Sequence, residues 1–223
     1  MSDTDSFIEE VTEEVRRDRM FGLLKRYGWI AVLAIVLIVG GAAFNEYRKA
    51  QATAAAQELG DAIIAALSDD DATARAGLLA GIETDAVGGA AIADLLEAGA
   101  LANSGDDSAA VNRLQQVATQ PELPEIYRNI AAFKALLLQG DSLSIEERRL
   151  QFDALARPGA PLRLLSEEQL ALLDIEEGNV DKAIERLQAI LEDSEVSADL
   201  QQRAVRVIVA LGGVPGTVAS SEG

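Results

Sequence analysis

Two stretches of the chain, SGDDSAAVNRL from Ser104 and EGNVDKAIERL from Glu177, write one pattern seventy-three residues apart: a glycine, a few small or polar residues, then apolar positions at helical spacing. With Gly105 set on Gly178, the series Ala110, Val111, Leu114, Val117, Ala118 falls on Ala183, Ile184, Leu187, Ile190, Leu191. Those offsets trace one stripe of an α-helix. The preceding helices match as well, with Ala98 against Ala171, where a small side chain lets the two helices of a hairpin approach closely. A repeated glycine turn between two helices predicts a hairpin used more than once.

A third candidate turn lies between them, with Gly140 standing 35 residues after Gly105 and 38 before Gly178. A period in the thirties is that of helix-turn-helix solenoids. The middle unit is irregular, since Phe133 takes the place of Ala98 and Glu146 sits where Val111 and Ile184 are apolar. Its second helix, expected over 144–155 with Ile145, Phe152 and Leu155 inward, must therefore pack in a shifted register. PELPE and RPGAP separate the units, as proline and glycine do between helices. Downstream, SADLQQRAVRVIVALGG supplies a closing helix with Ser197 as N-cap and Gly212 as its stop.

Upstream of the repeats the chain reads as an alanine-rich stalk, NEYRKAQATAAAQELGDAIIAAL, with one glycine before Leu67. Asp69 to Asp71 mark a turn, and DATARAGLLAGI predicts a short helix with Ala74, Leu78 and Ile82 along one side. Gly88-Gly89 is expected to break the chain again. Aromatic residues make up only 4% of the sequence while alanine and leucine abound, which favours packed helices over strands. The expected class is all-α.

From Tyr27 to Asn45 the chain reads YGWIAVLAIVLIVGGAAFN, nineteen residues without a charge. At ~1.5 Å per residue such a helix matches a bilayer core. Tyr27 and Trp29 lie at one end, Phe44 and Tyr47 at the other, where amphipathic rings sit at headgroup level. A buried core helix and a cleaved signal peptide are the competing readings. The 26 residues before the run carry seven acidic groups, unlike a short basic leader. Arg16, Arg17, Arg19, Lys25 and Arg26 precede the span, against only Arg48 and Lys49 just after it, so the N-terminus is expected in the cytoplasm. In the cytoplasmic segment, Ser6 and Glu9 have capping-box spacing, and Ile8, Val11 and Val15 share one helical face.

The expected organisation is a cytoplasmic segment over 1–26, a transmembrane helix over 27–45, an exported helical domain over 46–211 and a disordered tail over 212–223. Formal net charge is -18, which disfavours nucleic acid as a ligand. The exported part carries 14 basic and 30 acidic residues. The sequence has no Cys and no His, which removes disulfides, Cys/His metal sites, thiol nucleophiles and histidine bases together. A disulfide-free chain fits either side of a membrane.

An enzyme would have to rely on carboxylates, Ser, Lys or Tyr. The pairs Glu146-Glu147, Glu167-Glu168 and Glu176-Glu177 are adjacent residues that do not face each other on a helix, and they read as solvated surface. Asp69-Asp70-Asp71 lacks the spaced oxygens and glycine of a calcium loop and reads as a helix-entry turn. No catalytic, cofactor-binding or metal-binding residues are expected. Clustered Lys and Asn able to clamp a peptide carboxylate are not visible on the first helices of the hairpins.

The segment from Phe7 to Arg19, a single span opening with RYGW, an alanine-rich helix and irregular tetratricopeptide hairpins, in that order, resemble the YfgM-like proteins. These are bacterial inner-membrane proteins with a periplasmic tetratricopeptide-like domain, and the resemblance covers the chain up to about Gly213. It implies an irregular tetratricopeptide-like α-solenoid of about three hairpins plus flanking helices behind one transmembrane helix. It also implies an ancillary, non-enzymatic subunit of the SecYEG protein-conducting channel, working with the PpiD chaperone on translocating polypeptides, N-terminus cytoplasmic and C-terminal domain periplasmic. The alternative is a structural or assembly scaffold of another inner-membrane complex, such as a respiratory complex. Membrane lipid, through the one span, is a partner in either case.

Overall fold

The computed structural model of the protein describes residues 3–216, without the side chains of 3–24, 27, 28, 31, 32 and 141. Among the described residues every regular element is helical. In chain order these are α1 (Asp3–Leu67), α2 (Ala72–Ala80), α3 (Val87–Asn103), α4 (Asp107–Ala118), α5 (Glu125–Leu138), a 3-10 turn (Gly140–Ser142), α6 (Ile145–Leu155), α7 (Arg163–Glu176), α8 (Val180–Glu192) and α9 (Ala198–Ala210). The chain divides into two compact units, the first ending at Glu58 and the second beginning at Leu59.

In the first unit, every side chain from Leu33 to Glu58 is exposed. Among the described residues no helix is long and apolar enough to cross a membrane, and the stretch 27–45 contains four residues whose side chains lie outside the description. The Ser6 and Glu9 cap and the Ile8, Val11 and Val15 face also lie outside the described side chains.

The second unit opens with the last turns of α1 and enters α2 through the expected aspartate turn. Asp71 caps α2 by accepting from the backbone N–H of Thr73 at 2.7 Å and of Ala74 at 2.9 Å. Arg75 ties the turn from outside, donating to the Asp69 and Asp70 carbonyls. The apolar side of Ala74, Leu78 and Ile82 is not the side on which α2 packs. Ala76 and Leu79 are buried against Ala66 and Ala100, while Ala74 and Leu78 point to solvent and Ile82, beyond the end of the helix, is partly buried. Alanine, glycine and leucine line both sides of this nine-residue helix, so periodicity alone does not distinguish its faces.

Gly88 and Gly89 are likewise not a break. They form the first turn of α3, and a Cβ on Gly89 would come within 2.5 Å of Leu59 Cδ2, so glycine lets α3 start hard against the end of α1. The chain turns earlier, at 81–86, where Thr84 Oγ1 accepts from the Ala86 N–H. A helix start tolerates the ~1 kcal/mol that each glycine costs when packing compensates it.

The two echoed turns are built alike. Gly105 has φ 85° and Gly178 φ 80°, the left-handed conformation that ends a helix. In the first, Asp106 N–H bonds the Leu101 carbonyl and Gly105 N–H bonds Ala102; in the second, Asn179 bonds Asp174 and Gly178 bonds Ile175. Gly212 closes α9 in the same way, with Gly213 bonded to Ile208. The middle turn differs, because Gly140 opens a 3-10 turn and α6 begins from a full capping box between Ser144 and Glu147.

This difference makes a prediction. Gly178→Ala should cost about 1 kcal/mol, because alanine is strained at positive φ even though its Cβ would meet open space. Gly140→Ala should change stability by less than about 0.5 kcal/mol, because no positive φ is demanded there. Urea denaturation of the two variants side by side checks this.

Packing is serial. Leu114 and Val117 of α4 bury against Ala98 of α3 and Ala131 of α5. Phe133 meets Phe152 edge-on with ring centroids 5.7 Å apart, so the aromatic pair replaces the small-residue contact of the other hairpins and sets the shifted register of α6. Leu187 and Ile190 of α8 bury against Ala171 of α7 and against Leu200, Ala204 and Ile208 of α9. Each cluster is shared by consecutive helices, as in a solenoid. Past α9, Gln188 Nε2 donates to the Val214 carbonyl at 3.2 Å, and residues 217–223 of the expected tail lie outside the described residues.

Candidate protein-interaction surface

The first helices of the three hairpins are α3, α5 and α7. Six residues before their glycines stand Gly99, Lys134 and Leu172, and Lys134 and Leu172 are exposed. Between α3, α4 and α5 this leaves an open groove of about 300 Å3. Ala98, Gly99 and Ala102 make its wall on α3, and Leu114, Leu137 and Leu138 supply apolar surface. Lys134 and Asn103 are its polar groups, so the structure brings together one Lys and one Asn that the sequence did not group. The small residues of α3 create the space, because larger ones would fill it.

A second cleft, of about 430 Å3, lies between α7 and α8 and is strongly charged. Its two arginines are engaged within the protein. Arg186 pairs with Glu167 at its mouth and with Asp174 at 3.3 Å, and Arg163 pairs with Asp193 and Glu195, each at 2.8 Å. Asp174 is the knot of the network. It is fully buried, and its carboxylate is reached by Arg149 from α6 at 2.9 Å and by Lys182 and Arg186 from α8. Burial by itself would push this carboxyl up, but the Lys182 and Arg186 hydrogen bonds and the Arg149 charge together hold it below its ordinary value.

Of the acidic pairs expected as solvated surface, Glu146, Glu147, Glu176 and Glu177 are exposed and Glu167 is half-buried, whereas Glu168 is buried, which corrects the expectation at that residue; four of the six also tie helices together. Glu168 is buried and bound at both oxygens by Arg203 of α9, at 2.7 and 2.8 Å. Glu176 and Glu177 meet Arg148 and Arg149 of the previous hairpin at 2.6 and 2.8 Å, and the Glu147 carboxylate accepts from the Ser144 N–H in the cap of α6. Glu146 and Glu147 stay exposed without such a tie, Glu147 being engaged only within its own helix cap. In this arrangement Glu168, Glu176 and Glu177 hold helices together, and Glu167, on the lining of the cleft between α7 and α8, is engaged by Arg186.

One rule behind these ties was overlooked in the sequence. Eight residues after each hairpin glycine stands an arginine: Arg113, Arg148 and Arg186. In the outer hairpins it lies near the acid eleven residues before the glycine, Asp94 at 3.7 Å in the first, where its closer partner is buried Glu97 at 2.9 Å, and Glu167 in the last. The signal was the arginine shared by NRL and ERL in the two echoed stretches. In the middle hairpin that acidic position is Asn129, and Arg148 turns to Glu176 of the next hairpin instead.

A family model described as a tetratricopeptide repeat-like domain matches residues 24–147. Neither the comparison with curated proteins nor that with solved structures returns a match. The matched region ends just inside α6, so α7 to α9 carry the helical pattern beyond it.

Proposed function

We propose that the chain, which belongs to the family of tetratricopeptide repeat-like domains, is a non-enzymatic, membrane-anchored protein-interaction subunit, an ancillary component of a Sec-type protein-conducting channel. A repeat array of this kind serves protein interaction, because stacking hairpins leaves an extended face on their first helices. The observation that carries the reading is the groove over α3 and α5, with exposed Lys134 and Leu137 beside a floor of small residues.

Anchoring rests on the uncharged stretch 27–45 and its flanking charges. The large apolar side chains of Leu37, Ile38 and Phe44 are each more than 60% exposed on α1, a poor arrangement in water and a natural one in lipid. In this reading 1–26 is cytoplasmic, 27–45 spans the inner membrane, 46–211 is periplasmic and 212–223 is a tail. The channel and a PpiD-like chaperone as partners, and translocating polypeptides as clients, rest on the order of sequence features described above.

Topology is testable because the chain has no cysteine. Ser220→Cys should be labelled by a membrane-impermeant thiol reagent in cells with a permeabilised outer membrane, and Ser2→Cys should not; the reverse pattern overturns the orientation. Photo-crosslinking from Lys134 and Leu137 should then yield channel components, the chaperone or nascent clients. Recovery of a respiratory enzyme with none of these would favour the scaffold reading instead.

A further inference from the structure

The two ends of the helical array are finished differently. At the closing end, α9 exposes Ala198, Asp199, Gln202, Arg206, Val209 and Ala210, three of them polar and two of those charged. At the opening end, α2 exposes Thr73, Ala74, Gly77, Leu78 and Ala80, without a charged group among them. Its one basic residue, Arg75, is bound to the Asp69 and Asp70 carbonyls. Terminal repeats of solenoids carry a polar outer face because nothing stacks on them, and α2 breaks that rule. Its inner side is already satisfied by Ala76 and Leu79.

The flanking segments sharpen the contrast. Leu78 is 50% exposed, and on the adjoining ends of α1 and α3 Ile64, Leu67 and Val87 are exposed by 66%, 44% and 49%. Residues 58–92 hold seven acidic residues and one basic residue. Asp69 and Asp70 precede α2, and Glu83 and Asp85 follow it. An apolar helix face bracketed by uncompensated carboxylates matches one partner chemistry: a helix with apolar residues at i, i+3, i+4 and i+7 and Lys or Arg along its flanks.

We propose that the outer face of α2, centred on Ala74, Gly77 and Leu78, is a docking site for a basic amphipathic helix of another protein. The absence of side chains beyond Cβ at Ala74 and Gly77 lets a partner backbone come close, Leu78 supplies the apolar anchor, and the surrounding carboxylates set orientation. This site is separate from the groove over α3 and α5. It needs only the helical domain, and holds whichever membrane complex the chain joins.

The test uses the full chain in detergent solution and a synthetic amphipathic peptide of leucine and lysine as probe, with binding followed by fluorescence anisotropy. Leu78→Asp separates docking from bulk charge, since it removes the apolar anchor while making the surface more acidic. It should weaken binding roughly tenfold, whereas Leu150→Asp on α6, exposed and remote in sequence, should leave it unchanged. The combined Asp70→Asn, Glu83→Gln and Asp85→Asn variant should also weaken binding and flatten its salt dependence. Equal or tighter binding by Leu78→Asp overturns the proposal. So does self-association of the wild-type chain that Leu78→Asp abolishes, which assigns the face to a second copy. Binding of the chain's helical domain to lipid vesicles, lost in the same variant, assigns it to lipid and overturns the proposal too. A failed topology or crosslinking result would leave this outcome untouched.

Discussion

Replacing Asp174 by alanine should destabilise the helical domain by about 3 kcal/mol, the low end of the range for removing one partner of a buried ion pair. The carboxylate is fully buried and meets Arg149, Lys182 and Arg186. The low end applies because the loss is shared. Arg149 keeps Glu177, Arg186 keeps Glu167, and Lys182, 54% exposed, turns to water. Asp174 lies seventy-three residues after Leu101, its counterpart in the first hairpin, so Asp174→Leu should recover part of the loss by packing. The pH dependence has a definite sign. The folded-state pKa is depressed, so the contribution is fully present above the unfolded value near 4 and is lost as pH falls through the folded value. The gap between wild type and Asp174→Ala should therefore be constant at neutral pH and close progressively below about pH 4. Urea denaturation across a pH series measures it.

Leu187→Ala should cost a similar amount, about 3 kcal/mol, with a drop in Tm of roughly 10 °C. Leu187 is completely buried between α7 and α9, among Ala171, Ala204 and Ile208, where small neighbours on stiff helices leave little to collapse into the cavity. Because the core is a series of clusters shared by consecutive helices, the damage should be local. Hydrogen exchange should show protection falling first in α7 to α9 while α3 to α5 keep most of theirs. A uniform loss over all helices would mean that the array unfolds as one block.

Much of the helical domain was legible before any coordinates. Gly105, Gly178 and Gly212 announce left-handed turns, Ser197 announces its cap, and the stripes of α4 and α8 turn inward where the alignment placed them, half-buried at Val111, Ala118 and Ile184 and buried at the other positions. Each is local chemistry, because a glycine that must take positive φ or an oxygen that caps an N–H acts within a few residues. Ile145, Phe152 and Leu155 turn inward for the same reason, since α6 has one apolar side. The groove of the candidate surface was less legible, because Asn103 and Lys134 lie on different helices and read separately as unremarkable polar residues.

By itself the sequence determined that this chain is helical, where most of its helices start and stop, and which side of each strongly amphipathic helix is buried. Only the tertiary structure decided the faces of α2, where Ala74 and Leu78 compete with Ala76 and Leu79, and the start of α3 at its paired glycines. It alone decided that Glu167, Glu168, Glu176 and Glu177 are ties between helices, since their arginine partners lie 19 to 35 residues away. Periodicity reports that a helix has an apolar side, and when it has two, or when charges seek partners across a hairpin, the neighbouring helix makes the choice.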